Sequence, residues 1–238
     1  AYPREDMATY LPAGTRLVFQ MHYTPIGTEV QDISGIGMTF ADPADVKHDV
    51  RMNMAINFGF NIPAGADNHP VEAYHAFDKD SMILTMAPHM HLRGKSFRYD
   101  LEYPDGTTET LLDVPHYDFN WQVIYMLREP KFVPAGTKMH CYAHFDNSED
   151  NLANLDPTSE VRWGDQTWEE MMIGWFSETE DVNAAEIDGV PTRTKRFLDE
   201  VADGPPRISK LLTRAAERAL GSEDYMMMFA DRLQKIVP

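Results

Sequence analysis

The 238-residue sequence has a single cysteine, Cys141. That excludes an internal disulfide, and without a Cys-x-x-Cys pair there is no zinc ribbon or dithiol redox site of that type. Positive charge is scarce as well: 21 Lys and Arg stand against 38 Asp and Glu, a formal net charge of −17. A phosphate backbone would be repelled, so nucleic acid is not an expected partner. No apolar run approaches the ~18–20 residues that span a bilayer, and the first residues, Ala-Tyr-Pro-Arg-Glu-Asp, lack the basic and apolar regions of a leader. No transmembrane segment is expected; the chain reads as soluble, either mature or an excised piece. What is present is ample core material, 43% hydrophobic and 11% aromatic, together with 9 His and 15 Met.

From Leu11 to about Phe176, brief apolar or alternating runs are separated by Pro, Gly, Asn and Asp. This spacing predicts a mainly β, antiparallel sandwich, and no parallel βαβ unit is visible. The strand candidates are Arg16-Leu-Val-Phe-Gln-Met-His-Tyr, Met52-Asn-Met-Ala-Ile-Asn-Phe, Ser81-Met-Ile-Leu-Thr-Met, Ser96-Phe-Arg-Tyr-Asp-Leu-Glu-Tyr and Lys138-Met-His-Cys-Tyr-Ala-His-Phe. Tyr103-Pro-Asp-Gly-Thr reads as a hairpin turn, Pro presetting one dihedral and Gly supplying a positive φ.

The sequence also repeats itself. Leu11-Pro-Ala-Gly-Thr-Arg-Leu-Val-Phe-Gln-Met-His-Tyr aligns without gaps on Val133-Pro-Ala-Gly-Thr-Lys-Met-His-Cys-Tyr-Ala-His-Phe, setting His22 on His144 and Tyr23 on Phe145. Each copy leads, after a polar loop, to a short run ending in Phe, Ile36-Gly-Met-Thr-Phe and Ile173-Gly-Trp-Phe. If this is a duplication, residues 1–48 are the end of a truncated first sandwich and 49–180 a second one. Beyond that, three- and four-residue spacings of Leu, Ile, Met and Ala predict a short α-helical tail over 181–238, with Arg207, Lys210, Arg214 and Arg218 on a solvated face.

The sharpest chemical signal is Pro88-His89-Met90-His91-Leu92-Arg93-Gly94-Lys95 after an apolar strand. On extended backbone, residues two apart share a face, so both imidazoles reach one metal while Met90 points away. Imidazole pairs suit copper, zinc, iron or nickel, and the pair alone does not choose. By the same alternation Gln20 and His22 share a face opposite Leu17, Phe19 and Met21, and His140, Tyr142 and His144 share a face opposite Met139, Cys141, Ala143 and Phe145. His140 and His144 read as ordinary strand histidines. A methionine fills core by default, and Met171 becomes a ligand only toward a soft metal such as copper(I).

Taken together, HMHLRGKSF, His116-Tyr-Asp-Phe-Asn-Trp-Gln with Met126-Leu, Pro134-Ala-Gly-Thr with Asn147-Ser-Glu-Asp, and Thr167-Trp-Glu-Glu-Met occur in an order and spacing that resemble the catalytic core of the copper type II, ascorbate-dependent monooxygenases, the family of the peptidylglycine α-hydroxylating and dopamine β-monooxygenases. The resemblance covers residues 11–176. It implies two jelly-roll sandwich domains, each with one copper, facing across a cleft, and a reaction that hydroxylates a C–H bond with O2 and two single electrons from ascorbate or a similar reductant. It further implies that His89, His91 and Met171 hold the oxygen-binding copper, and that His22 is one ligand of the electron-donating copper.

The departures carry expectations too. The family's other two histidines for the second copper lie upstream, and no His precedes His22 here, so one copper is expected in this chain and two in the complete enzyme, with an upstream domain supplying the missing ligands. The positions of the family's disulfide beside the Met ligand hold Ala143 and Met172. Those that grip a peptide carboxylate hold Ala87 and Trp175, which points to a bulkier or less charged small-molecule substrate, with Phe119, Asn120, Trp121 and Trp168 as lining. An exported setting, periplasmic or extracellular, is expected. The reading from another class is a non-catalytic copper-binding or interaction sandwich within a larger redox protein.

Overall fold

The computed structural model describes residues 2, 4–12, 14–24 and 26–181. Among them are eleven strands and no helix: β1 (Met7–Ala8), β2 (His48–Ile56), β3 (Asn61–Ile62), β4 (His69–Ala76), β5 (Ser81–His89), β6 (Gly94–Glu102), β7 (Thr108–Val114), β8 (Tyr125–Val133), β9 (Lys138–Phe145), β10 (Val161–Arg162) and β11 (Ile173–Asp181). No helix long and apolar enough to cross a membrane occurs among these residues. The helical tail expected from 181 onward lies outside them, except for Asp181, which ends β11.

The described chain divides into two compact units at Asp49 and Val50. In the first, β1 pairs in parallel with the head of β2, Met7 opposite His48 and Ala8 opposite Asp49. The alternation over 16–23 predicts a strand with Leu17, Phe19 and Met21 covered. The structure differs: the described residues between 9 and 47 carry no strand, and Phe19 is 53% exposed. A strand needs a neighbour for its ladder and a facing layer for its apolar side, and in this unit the described residues give 16–23 neither.

The second unit, Val50–Asp181, is a β-sandwich. One sheet runs β2-β11-β5-β8 and the other β4-β9-β6-β7, while β3 and β10 form a small antiparallel pair. Counting the eight long strands in chain order, the sheets read first-eighth-third-sixth and second-seventh-fourth-fifth, the strand order of a jelly roll. The pairings β11 with β5, β5 with β8, β4 with β9, and β6 with both β9 and β7 are antiparallel.

The core forms where the alternation predicts it. Met139, Cys141, Ala143 and Phe145 of β9 are fully buried and meet Phe97, Tyr99 and Leu101 of β6 with Ile83, Met86 and Phe176 from the other sheet. Burial raises the Cys141 pKa, so the lone thiol is a small core hydrophobe. The Tyr103-Pro-Asp-Gly turn closes β6 onto β7, with the Gly106 N–H donating to the Tyr103 carbonyl at 2.9 Å.

The internal repeat survives as a turn and diverges after it. Gly14 and Gly136 both have φ of 86°, a conformation that glycine adopts without a steric cost. The Thr15 N–H donates to Pro12 O and the Thr137 N–H to Pro134 O, each at 3.2 Å. Past the turn, the second copy enters β9 between β4 and β6 and buries Phe145, whereas its counterpart Tyr23 is 66% exposed. Phe145→Ala should therefore cost about 3–5 kcal/mol, and Tyr23→Ala should stay within about 0.5 kcal/mol. Urea unfolding followed by tryptophan fluorescence measures both; equal losses would mean that the first copy is packed as a strand after all.

Candidate metal centre

The site grows out of the β5–β11 ladder. Ile173 stands opposite His89, Trp175 opposite Ala87 and Ser177 opposite Thr85, with the Thr85 and Ser177 hydroxyls bonded at 2.6 Å. Directly opposed residues share a sheet face, so these six side chains lie on one face and Met86 with Phe176 on the other, in the core. His89 is the last residue of β5. The ladder stops at the His89–Ile173 pair, so His91 and Met171 lie just beyond the ends of β5 and β11. Met90 and Met172 are both fully buried core members. The structure thus brings the His89 and His91 rings together at the end of β5, and the Met171 main chain reaches the same corner, its N–H 3.3 Å from the Glu170 oxygen that accepts from His91.

Both imidazoles are held by their Nδ1 atoms. His89 Nδ1 lies 2.6 Å from Gln122 Oε1, and the Gln122 amide is itself oriented by donating from Nε2 to the Phe119 carbonyl at 2.9 Å. His91 Nδ1 lies 3.0 Å from the Glu169 carbonyl, an acceptor only. Each ring therefore donates from Nδ1, which places its lone pair on Nε2. The two rings meet edge to face, with centroids 5.4 Å apart. Burial lowers the His91 pKa against the opposing pull of the Glu169 carbonyl, which favours the neutral, ligating form.

The loop carrying His91 is clamped from three sides. The Tyr117 hydroxyl accepts from the Met90 N–H at 3.0 Å and donates to the Met90 carbonyl at 2.7 Å. Gly94 is required beside that clamp, since a Cβ there would stand 2.6 Å from Tyr117 Cδ1 and 2.8 Å from Met90 Cβ. The buried Glu170 carboxylate accepts the His91 N–H at 2.8 Å and the Arg93 N–H at 2.6 Å. Burial pushes the Glu170 pKa up to about 7, opposed by those two amides and by the Arg93 charge. The buried Arg93 guanidinium donates to Asn147 Oδ1 at 2.8 Å and to the Trp168 carbonyl at 2.9 Å, and Asn147 is anchored on the Pro63 and Ser159 carbonyls.

The remaining sequence-predicted residues fall elsewhere. His22 is exposed, on the strandless segment of the first unit. His140 is stacked between Tyr74 and Tyr142, with its two nitrogens 2.9 Å from Glu102 and 3.0 Å from Glu72, and His144 pairs with the Ser96 hydroxyl. Both are strand histidines on the outer face of the other sheet. Ala143 and Met172 are buried in the apolar core. Trp121 lines a cleft of about 190 Å³ with Val114, Tyr117, Tyr125 and Gln122, while the Phe119 ring lies 6.2 Å from the His91 ring and Trp168 is exposed.

Sequence reasoning missed Gln122, Tyr117, Arg93, Asn147 and Glu170 as parts of this corner. All five stand inside the quoted motif strings, and a buried Arg and Glu are the signal, because such charges persist in a core only when bonded. Among the described residues, no group of three or more His, Cys, Asp or Glu side chains is arranged for a metal ion; the side chains that meet at this corner include the two imidazoles of His89 and His91. No protein-family model matches the chain, and no curated protein matches it significantly. Among solved structures, an infectious bursal disease virus Gx strain structure is similar at TM-score 0.31 and 13% identity, over 63% of this chain and 37% of that one. The VP2 subviral particle of the same virus is similar at TM-score 0.30 and 12% identity, over 63% and 38%. This chain thus spans well under half the length of either.

Histidine side-chain NMR in mildly alkaline buffer should find both His89 and His91 protonated at Nδ1. Gln122→Leu should shift the His89 signals alone. An Nε2-protonated His91 would rule out the ligating arrangement.

Proposed function

We propose that His89, His91 and Met171 form the copper site of a copper-dependent, ascorbate-type monooxygenase that hydroxylates a C–H bond of a small molecule with O2. The observation that carries the reading is the convergence at one corner of three separate motif segments, 89–94, 116–122 and 167–171. The donor set fits the metal: two Nδ1-tethered imidazoles plus a thioether favour copper(I) over harder cations. A copper ion held there would supply one-electron redox chemistry toward O2, with ascorbate or a similar donor as the electron source.

The chain's own residues do the rest. Gln122 and the Glu169 carbonyl fix both ring planes before any metal arrives, which limits the reorganisation needed on binding. Beside His89 in the ladder lie Ile173, Ala87 and Trp175, all apolar. This supports a bulky, weakly charged substrate over a peptide ending in a carboxylate. Hydroxylation consumes two electrons besides O2, so the reading assigns His22 to a second copper whose other ligands come from an upstream domain. An exported, periplasmic or extracellular setting suits this copper chemistry and the acidic charge.

X-ray absorption of the reduced, copper-loaded chain should show a sulfur scatterer that disappears in Met171→Ala and persists in Met90→Ala and Met172→Ala, whose side chains face the core. His89→Ala should weaken copper(I) binding by more than about 100-fold, and His140→Ala by no more than a few-fold. With ascorbate and the upstream domain present, O2-dependent hydroxylated product should form and be lost in His89→Ala. Copper binding without product would place the chain among non-catalytic copper-binding sandwiches, and sulfur scattering indifferent to Met171 would refute the site.

A further inference from the structure

We infer that Glu170 is the positioning residue that sets His91 and Met171 at ligating distance, by taking over the role of main-chain hydrogen bonds where the β5–β11 ladder stops; as a statement about copper binding this rests on the function proposed above. The ladder ends at the pair His89 and Ile173. Beyond it, nothing in the sheet itself fixes the spacing between residues 90–93 and 169–172, although two of the three donors lie in those stretches.

The Glu170 carboxylate spans this gap. One oxygen accepts the His91 N–H at 2.8 Å and the other the Arg93 N–H at 2.6 Å, so the two amides of the loop that point across are both taken. The first oxygen also receives the Met171 N–H at 3.3 Å, coupling the thioether residue to the same atom as His91. The main chain of Glu170 is itself immobilised: its N–H donates to the Arg162 carbonyl and its carbonyl accepts from the Gly164 N–H, each at 3.1 Å. The Arg93 guanidinium, bonded to the Trp168 carbonyl, adds a second tie between the same two stretches. A fully buried carboxylate with both oxygens bonded is a stiff strut, because any displacement leaves a buried amide without an acceptor.

Glutamine at this position keeps the shape and loses the function. Its one oxygen can accept from His91 or Arg93, and its NH2 then faces the other N–H, donor against donor. Glu170→Gln should therefore fold with a lowered Tm, bind copper(I) about 10–100-fold more weakly, and lose or weaken the sulfur scatterer. Leu101→Ala, a fully buried change at the end of β6 opposite to Gly94, should lower Tm and leave both the affinity and the sulfur signal unchanged. That comparison separates positioning from general destabilisation.

A metal-free measurement decides the inference without copper or a variant. In the apo chain, amide hydrogen exchange at His91 and Arg93, which lie outside the ladder or at its edge, should be slowed to the level of the β5 interior. Fast exchange at these amides would overturn the strut, whether or not Glu170→Gln folds. So would an unchanged affinity and sulfur signal in a folded Glu170→Gln protein. Should the unaltered chain bind no copper(I), the functional reading falls, while protected His91 and Arg93 amides, lost in Glu170→Gln, would still establish the positioning role.

Discussion

The pairing of β11 with β5 is the constraint on which the second unit depends. β11 is the last strand of the sandwich in the chain, yet it lies between the first and the third, so the sheet closes only when distant segments meet. The same pairing fixes side-chain parity: Phe176 enters the core beside Met86, and Ile173 and Trp175 face outward beside His89 and Ala87. A one-residue slip would exchange these faces, burying His89 and exposing Phe176, and the cost of that exchange is what holds the register. The core and the placing of His89 at the edge of the corner are thus two consequences of one ladder.

Where the ladder ends, the corner is held by buried polar groups, and here the energetic logic changes. Arg93 and Glu170 are both sequestered from water, which is costly for charged groups unless each is richly bonded. Each is: Glu170 accepts main-chain amides, and Arg93 donates to Asn147 and to the Trp168 carbonyl. Such a network is brittle, because removing one partner strands another. Brittleness is also what gives the loop one geometry, since each buried group is satisfied in only one arrangement of its partners.

The contrast among the histidines shows how far environment, and not residue type, sets a role. His89 and His91 each set Nδ1 against an oxygen acceptor, a tautomer that makes Nε2 the basic nitrogen. His140 has carboxylates at both nitrogens and a tyrosine ring on each side, so its capacity is spent within its own sheet. His22 follows the same turn that launches β9, but the segment after that turn has no strand neighbours among the described residues of its unit.

Much of this was written locally and could be read locally. The period-2 alternation of 138–145 and the turns at Gly106 and Gly136 follow from backbone stereochemistry, so the sequence alone determined an antiparallel β protein; of the His-x-His pair, His89 ends β5 while His91 falls on the loop after it. The alternation over 16–23 was equally clear and failed as a strand, since alternation states which face would be buried and says nothing about whether a neighbouring strand exists. Only the tertiary structure decided that Met90 and Met172 are core residues and that the Met171 main chain meets the His91 loop at Glu170, because that depends on contacts between segments far apart in the chain. It also assigned Gln122, Tyr117, Arg93 and Glu170 to the corner. Their bonds join segments that no local pattern connects, and such partners acquire meaning only once the chain has brought them together.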